Sequence, residues 1–512
     1  MKILMASSEA VPFAKTGGLA DAVSALSLAL AARGHDVRIM LPRYYGIDTR
    51  DLRKLEGELG VPMGGGEEWC AVYSAVLPGS SKKNPVPVYF VDHEHFFGRD
   101  GIYGSSGETD FLDNPRRFTF FCRAVFQVCR KIRWTPDILH AHDWPAALAP
   151  VFLKFWERPL GPEGEFAKTA SVLTVHNLGY QGIYGKENFF YTNLGWDVFY
   201  RAGFEDGNMM NFLKAGLYSA DRLNTVSPTY ARETQTQAQG FRLDGVLRYR
   251  SDHYTGILNG IDTKVWNPKT DRLIPQTYSV DNMAGKAAAK AALQKTFGLP
   301  VDADIPVFGM VTRLTGQKGV GELFGPAYGS AWSICRDMKV QLVLLGSGEA
   351  WCENEIKSLT SRLPNFRARI GYDEAGSHLI EAGSDFFLMP SRWEPCGLNQ
   401  MYSLVYGALP VVRNTGGLAD TVENYHQETG SGTGFLFDDL TPAAIYNTVG
   451  WAAWAWYNRR KHIEAMRARG MKRNFSWTES AKQYLAMYAD ACSMPNLVGQ
   501  HNFVGPPNKV GL

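Results

Sequence analysis

One glycine-rich hexapeptide occurs twice in the sequence, once in each half. Thr-Gly-Gly-Leu-Ala-Asp occurs at residues 16–21 and again at residues 415–420. In both copies the glycine pair opens a helix-like segment, and paired glycines let backbone N–H groups come close to a ligand. The N-terminus of a helix also favours negative charge. We therefore predict two anion-receiving loops, one in each half of a two-lobed protein that closes on a phosphate-bearing substrate.

Charged side chains follow short apolar runs in the second half of the chain. Arg313 and Lys318 come after the run at 306–311. Glu394 comes after the run at 385–390, within Ser-Arg-Trp-Glu-Pro-Cys-Gly. Ligands of open α/β sheets bind beyond the carboxyl ends of the strands, so the basic pair predicts a diphosphate site. The sequence has no P-loop motif and no Gly-x-Gly-x-x-Gly after its first strand, which argues against an ATPase and a dehydrogenase.

Histidines end two apolar runs in the first half of the chain. His140 and His142 lie in Ile-Leu-His-Ala-His at 138–142, and His176 ends the run at 171–176. A zinc site would need a fourth ligand at a recognisable spacing, and the sequence offers none. We therefore predict no metal site. His176 could be a core histidine satisfied by hydrogen bonds, but its place at a strand end favours contact with a ligand.

Composition sets the broad class of the protein. A chain of 512 residues is too long for one hydrophobic core, so two or three domains are expected. A net charge of +2 gives no reason to expect nucleic acid or an anionic membrane as a partner. The seven cysteines are scattered and contain no Cys-x-x-Cys pair, which is typical of a reducing compartment. No run approaches 18 apolar residues and no signal peptide is evident, so we expect a soluble cytoplasmic protein.

The elements that would position these residues alternate between strand and helix. The chain opens with a strand at 2–6, a helix at 20–33 and a strand at 36–41, the β-α-β start of a doubly wound parallel sheet. A helix follows at 116–131. Further strands are predicted at 138–142, 171–176, 306–311, 341–346, 367–372, 385–390 and 409–412, and helices at 284–297, 418–424 and 478–492. We expect an α/β protein with two Rossmann-like lobes: an N-terminal domain at 1–260, a C-terminal domain at 261–476, and a final helix and tail at 477–512.

Several motifs taken together resemble one family. Lys-Thr-Gly-Gly-Leu-Ala-Asp at 15–21, His-Asp-Trp at 142–144, Thr-Val-His-Asn-Leu-Gly-Tyr-Gln-Gly at 174–182 and Ser-Arg-Trp-Glu-Pro-Cys-Gly-Leu-Asn-Gln at 391–400 are similar to bacterial glycogen synthases and plant starch synthases. The likeness runs in order over about residues 1–490. It implies a GT-B fold whose two domains face each other across a deep cleft. It also implies transfer of glucose from ADP-glucose to the 4-OH of an α-1,4-glucan, with retention and without a metal or other cofactor.

The resemblance implies a role for each residue that matches a family motif. Arg313 and Lys318 neutralise the departing diphosphate, an electrostatic role that often dominates such catalysis. Glu394 holds glucose hydroxyls, His176 lies close to the anomeric carbon, and Tyr372 stacks on adenine. The other predicted substrate-binding residues are Glu9, Lys15, Gly17, Gly18, Asp143, Trp144, Asn177, Cys396, Gly397, Thr415, Gly416 and Gly417. Within this set Cys396 is expected to pack the loop, since nothing near it in sequence would lower its thiol pKa.

One departure and two alternatives accompany the resemblance. Many retaining enzymes of the GT-B class carry a second glutamate eight positions after the first, where this chain has Tyr402. The glycogen synthase branch lacks that glutamate too, so its absence fits the narrower assignment. The alternatives are an α-glucan phosphorylase, which needs pyridoxal phosphate on a lysine, and a non-catalytic glucan-binding protein.

Overall fold

The computed structural model describes residues 1–105 and 110–493, which fold into two compact units. The described residues of unit 1 lie within Met1–Val226, Ala231–Ile257 and from Trp477 onward. Unit 2 contains Ser227–Tyr230 and Leu258–Ser476. The tail predicted after the last helix lies outside the described residues. The division into domains at residues 260 and 476 stays a prediction.

A ten-stranded sheet forms the centre of unit 1. Seven strands are parallel, in the order β13-β12-β8-β7-β1-β2-β6, and β5, β3 and β4 add an antiparallel edge. A small antiparallel sheet has the order β10-β11-β9. The strands are β1 (Lys2–Ala6), β2 (Asp36–Pro42), β3 (Arg53–Lys54), β4 (Leu59–Met63), β5 (Gly66–Val76), β6 (Pro87–Asp92), β7 (Ile138–His142), β8 (Ala170–Val175), β9 (Ile183–Gly185), β10 (Glu205–Asp206), β11 (Met209–Asn211), β12 (Arg222–Thr225) and β13 (Tyr254–Gly256).

Unit 2 is built on a six-stranded sheet in which every pair is parallel. The order is β16-β15-β14-β17-β18-β19. Its strands are β14 (Val307–Leu314), β15 (Gln341–Gly348), β16 (Phe366–Ile370), β17 (Phe386–Met389), β18 (Leu409–Arg413) and β19 (Phe435–Phe437). Both faces are buried: Phe308 and Met310 join one hydrophobic core, while Val307 joins another on the opposite face. Strands buried on both faces read as continuous apolar runs, which is why most of them are visible in the sequence.

Helices connect the strands of both units. They are α1 (Gly18–Ala31), α2 (Glu94–Phe97), α3 (Asn114–Lys131), α4 (Asp143–Ala146), α5 (Leu148–Phe152), α6 (Trp196–Arg201), α7 (Phe212–Ser219), α8 (Pro228–Glu233), α9 (Asp244–Tyr249), α10 (Ala284–Thr296), α11 (Val320–Phe324), α12 (Ser330–Asp337), α13 (Ala350–Arg362), α14 (Glu374–Gly383), α15 (Asn399–Val405), α16 (Gly416–Thr421), α17 (Pro442–Asn458), α18 (Arg460–Met471) and α19 (Trp477–Ser493). The last helix, α19, packs against α1 and β8 of unit 1. In the described ranges, no helix is both long enough and apolar enough to cross a lipid bilayer.

Each main sheet reverses its strand order at one point, and that point positions a candidate site. In unit 1 the chain winds outward from β1 through β2 and β6, then returns to lay β7 on the other side of β1. In unit 2 it winds from β14 through β15 and β16, then lays β17 beside β14. Loops that leave the carboxyl ends of strands flanking such a reversal diverge and leave a crevice for ligands. The α/β, doubly wound architecture expected from the sequence is confirmed for both units.

Candidate active site

A lysine–glutamate pair follows the two strands that flank the reversal in unit 2. Lys318 ends a short 3₁₀ turn after β14, and Glu394 lies in the loop after β17. Lys318 Nζ lies 2.5 Å from Glu394 Oε2, and the Ser391 hydroxyl donates to the same oxygen at 2.8 Å. The two charged side chains are only 17% and 7% exposed. The fold therefore brings two of the predicted catalytic residues into direct contact.

The glycine pair of the second hexapeptide packs against the backbone of the Glu394 loop. The N–H of Gly417 donates to the Glu394 carbonyl oxygen at 3.0 Å. Gly416 has a φ of +47°, and a Cβ there would lie 2.0 Å from that oxygen. A Cβ on Gly417 would lie 1.9 Å from the carbonyl oxygen of Cys396. Neither position has room for a side chain, so glycine lets the two loops hold each other in place.

Two amides predicted to receive donor oxygens already have backbone acceptors. Besides the bond from Gly417, the N–H of Thr415 donates to the Arg413 carbonyl oxygen at 2.9 Å. A phosphate or sugar oxygen could reach these two amides only by replacing those bonds. The role of residues 415–417 as an anion-receiving loop stays a prediction.

The other predicted residues of unit 2 fall into two environments. Burial raises the pKa of the Cys396 thiol to about 12, so this side chain is a packing group and not a nucleophile. Gly397 has a φ of +69°, which favours glycine at the turn that leads into α15. Arg313, near the end of β14, and Tyr372, two residues after β16, are exposed, Tyr372 by 89%. Both are accessible to a ligand.

In unit 1 a buried carboxylate occupies the start of α1. Glu9 accepts hydrogen bonds from the N–H of Thr16 at 2.5 Å, the Thr16 hydroxyl at 2.8 Å and the N–H of Gly17 at 3.2 Å. The Tyr103 hydroxyl also donates to Glu9, at 2.6 Å. Since α1 begins at Gly18, the negative charge near its N-terminus is that of the Glu9 carboxylate. Glu9 therefore fixes the shape of the first glycine loop.

Asp143 and His176 meet at the ends of β7 and β8. Asp143 begins α4 with a φ of +55°, and its Oδ1 accepts the N–H of His176 at 2.6 Å and that of Asn177 at 3.4 Å. Nδ1 of His142 lies 3.1 Å from Nε2 of His176. Burial raises the pKa of Asp143 to about 7, and burial lowers the pKa of His176 to about 3. At neutral pH the imidazole of His176 is therefore uncharged.

Replacing Asp143 by asparagine tests this electrostatic environment. The native pKa of about 7 lies above that of an unfolded aspartate, so the native state binds more protons between these two values. The stability of the wild type therefore falls as the pH rises towards 7, whereas Asp143→Asn keeps the Oδ1 acceptor and never ionises. We expect the melting temperature of the variant relative to wild type to increase by roughly 2–4 °C between pH 5 and pH 8. A pH-independent difference in calorimetry would contradict the assigned environment.

The remaining predicted residues of unit 1 have separate environments. Trp144 is buried, and its ring centroid lies 4.8 Å from that of Phe118 and 5.8 Å from that of Tyr103. It therefore packs against the tyrosine whose hydroxyl donates to Glu9. Lys15 is exposed and forms an ion pair at 2.8 Å with Asp21, the last residue of the first hexapeptide. The side-chain oxygen of Asn177 accepts the N–H of Gly179 at 3.0 Å.

Comparisons with known proteins agree over nearly the whole chain. A family model described as starch synthase catalytic domain matches residues 2–249, and one described as glycosyl transferases group 1 matches residues 294–468. A glycogen synthase of Treponema denticola is 58% identical over 491 residues, 96% of this chain and 98% of that protein. The chain belongs to the glycogen and starch synthase family. The resemblance drawn from its motifs is confirmed.

Further relatives support the same family and its fold. Glycogen synthase 1 of Geobacter metallireducens is 46% identical over 497 residues, covering 96% of each chain. The catalytic domain of starch synthase IV from Arabidopsis thaliana, solved with ADP and acarbose, is 31% identical with a TM-score of 0.85. That match covers 96% of this chain and 99% of the other. The chain is thus a glucosyltransferase of the GT-B class, which decides against a phosphorylase and a non-catalytic protein.

Tyr402, eight positions after Glu394, has a packing role. The ring of Tyr402 lies parallel to that of Trp266 with a centroid distance of 3.9 Å. His378 stacks on Trp266 with the same separation. Since Tyr402 lies on α15 and His378 on α14, Trp266 braces the helices that follow the Glu394 and Tyr372 loops. Tyr402 supports the synthase site by packing.

Reasoning from the sequence missed several residues that hold the site residues. Ser391 is part of a motif that the sequence shows, so its contact with Glu394 could have been found there. Tyr103 is 94 positions from Glu9 and belongs to no recognisable motif. His142 belongs to the family motif at 142–144 but has no role predicted from the sequence, and in the structure it contacts His176. Among the residues that the structure describes, no cluster of three or more histidine, cysteine or acidic side chains is arranged to hold a metal ion.

Proposed function

We propose that this synthase transfers glucose from ADP-glucose to the non-reducing 4-OH of an α-1,4-glucan, with retention of configuration at C1. The observation that carries the proposal is the buried Lys318–Glu394 pair, held by the second glycine loop beyond the ends of β14 and β17. Family membership supports the reaction class. The ADP in the solved starch synthase IV supports an adenine nucleotide donor.

The proposed step is a front-face displacement. The bond between C1 of glucose and the diphosphate oxygen breaks, and the acceptor 4-OH forms a new C1–O bond on the same face. The acceptor proton passes to the departing diphosphate oxygen, so ADP leaves with the bonding electrons. Arg313 and Lys318 stabilise the negative charge that develops on that oxygen. Glu394 accepts hydrogen bonds from glucose hydroxyls and holds Lys318 in place.

Residues of unit 1 are proposed to contact the same substrates. His176 presents its carbonyl oxygen and its uncharged ring to the oxocarbenium-like carbon, where an imidazolium would repel positive charge. Asp143 fixes the backbone of His176, while Trp144 and Asn177 shape the sugar and acceptor subsites. Lys15 and the loop at Gly17 and Gly18, held by Glu9, meet the distal phosphate and sugar.

Each domain is proposed to bind one of the two substrates. Residues 1–260 form the acceptor-side domain, and residues 261–476 form the nucleotide-sugar domain. Tyr372 stacks on adenine through its exposed ring. Gly397 and the residues Thr415, Gly416 and Gly417 surround the sugar and phosphates, with Cys396 as packing behind them.

We also propose that the reaction proceeds in the cytoplasm and needs no metal. All seven cysteines are free, as expected in a reducing compartment. The positive charge that a metal would supply to the diphosphate comes from Arg313 and Lys318 instead. Activity should therefore survive EDTA, and a loss that magnesium or zinc restores would contradict this part of the proposal.

Release of ADP is the measurement that tests the proposed function. Purified protein is given ADP-glucose with and without glycogen, alongside UDP-glucose as a matched donor. We expect release that depends on glycogen and that is much slower from UDP-glucose. Release without glycogen would indicate hydrolysis, and equal use of UDP-glucose would contradict the donor assignment.

A further inference from the structure

A chain of buried hydrogen bonds runs from the C-terminal helix α19 into the strands beneath the site of unit 1. The hydroxyl of Tyr488 lies 2.7 Å from His140 Nδ1, and His140 Nε2 lies 2.6 Å from Thr174 Oγ1. The Thr174 hydroxyl donates to Asn224 Oδ1 at 2.5 Å, and Asn224 Nδ2 donates to the Tyr484 hydroxyl at 3.1 Å. All five side chains are at most 1% exposed, so these bonds do not compete with bulk water.

The donors and acceptors in this series of hydrogen bonds determine the tautomer of His140. The only proton of the Thr174 hydroxyl goes to Asn224 Oδ1, because a carbonyl oxygen can only accept. Thr174 Oγ1 must therefore accept from His140, which places the imidazole proton on Nε2. Burial lowers the pKa of His140 to about 3, so the ring is neutral and its Nδ1 is an acceptor. That nitrogen accepts the proton of the Tyr488 hydroxyl, so each bond has one donor and one acceptor.

These hydrogen bonds connect three strands of the sheet, two of which end at site residues. His140 lies on β7, Thr174 on β8 and Asn224 on β12. Two residues further along, His142 ends β7 and His176 directly follows β8. The His140 ring lies 4.1 Å from the ring of His142, whose Nδ1 meets His176. The orientation of the His140 ring therefore affects the positions of the His142 and His176 rings.

One proton is shared in the contact between His142 Nδ1 and His176 Nε2. His142 Nε2 is buried and has no hydrogen-bond partner. A proton there would be an orphaned buried donor, which is rare in proteins, whereas a bare nitrogen is less costly. The proton of His142 therefore belongs on Nδ1, from which it donates to His176 Nε2. His176 then carries its own proton on Nδ1.

We propose that Tyr488 of α19 is a positioning residue for the transfer reaction. Through its bond to His140 Nδ1 it stabilises, together with the Thr174 contact, the neutral Nε2–H tautomer and the ring orientation that support His142 and, through it, His176. The inference rests on the proposed function, because His176 is the residue that it serves. A helix remote in sequence thus helps to hold the protonation pattern of the imidazoles at the strand ends.

Tyr488→Phe tests the proposal in the full-length enzyme, because it removes one hydroxyl and keeps the ring. We expect kcat to fall roughly five- to tenfold, as the loss of one buried hydrogen bond in the transition state implies. The KM for ADP-glucose should stay within twofold. A kcat equal to that of the matched control would overturn the proposal.

Tyr254→Phe is the matched control. The Tyr254 hydroxyl is also buried in unit 1 and hydrogen-bonds to Thr234 Oγ1 at 2.9 Å and to Thr225, neither of which is a histidine. Both variants remove one buried hydroxyl, so a structural effect alone would lower their melting temperatures and rates alike. We expect similar losses of melting temperature but a lower kcat only for Tyr488→Phe.

Histidine nitrogen spectra separate the proposal from the proposed function. Two-bond ¹H–¹⁵N correlation of ¹⁵N-histidine protein distinguishes the tautomers, and contacts with the Tyr488 ring assign His140. We expect the Nε2–H tautomer in wild type and a mixture in Tyr488→Phe. The Nδ1–H tautomer in wild type would overturn the proposal. If wild type shows no glycogen-dependent ADP release, the proposed function and the reaction role of Tyr488 both fail, while the spectra still decide the tautomer.

Discussion

Replacing Lys318 by alanine is expected to lower kcat on the order of 100-fold or more. The ammonium group of Lys318 is held by Glu394 at 2.5 Å in a mostly buried position, where charge interactions are stronger than in water. If it stabilises the charge that develops on the leaving diphosphate, its loss raises the barrier of the chemical step. Binding of glycogen alone should change little. Initial rates of ADP release, with a separate glycogen-binding assay, measure the two effects.

Lys290→Ala is the matched control for this prediction. Lys290 also belongs to unit 2 and pairs with Asp385 at 2.8 Å, with side chains 8% and 3% exposed. Removing it breaks a buried ion pair of the same kind at a different place in the fold. The turnover per folded molecule should stay near that of wild type, although stability falls. Equal losses of turnover in the two variants would show that Lys318 acts only through folding.

The strands of the fold are predictable from the sequence where they are buried on both faces. The run at 138–142 coincides with β7, and the five strands predicted in the second half all form. Four of these five are continuous apolar stretches, whereas the edge strand β16 alternates arginine with apolar residues. The three-residue strand β19 at Phe435–Phe437 was missed, as were β9, β10 and β11 of the small antiparallel sheet. Strands of two or three residues are too short to show a period.

Contacts within the candidate site could be predicted less well, and the repeated hexapeptide shows why. A Cβ added to Gly17 would meet no other atom within 4 Å, whereas at the equivalent Gly416 it would meet a facing carbonyl oxygen. The two copies have one sequence but different surroundings, since only the second packs against another loop. Tyr488 and His140 are 348 residues apart, a contact that no local pattern encodes. Residue types at strand ends were therefore predictable, but the groups that hold them were not.

Gly417→Ala is expected to separate the two loops of unit 2 and to lower kcat/KM by about 100-fold or more, comparable to losing a group that stabilises the transition state directly. An added Cβ would lie 1.9 Å from the Cys396 carbonyl oxygen and 2.5 Å from its Cα, so the backbone must move. The movement would break the bond from Gly417 to Glu394 and displace Glu394 from Lys318. Overpacking of this kind also costs about 1–3 kcal/mol of the free energy of unfolding.

Gly321→Ala is the matched control for this prediction. Gly321 lies in α11, where an added Cβ meets no atom within 4 Å, so alanine should keep activity and stabilise the helix by about 0.5–1 kcal/mol. Thermal unfolding and ADP release of both variants then separate the steric effect from a general effect of adding a methyl group. Full activity in Gly417→Ala would mean that the loops need not touch for catalysis. A loss confined to Gly417→Ala would show that the second glycine pair is needed to place Glu394, because only there does a methyl group force the two backbones apart.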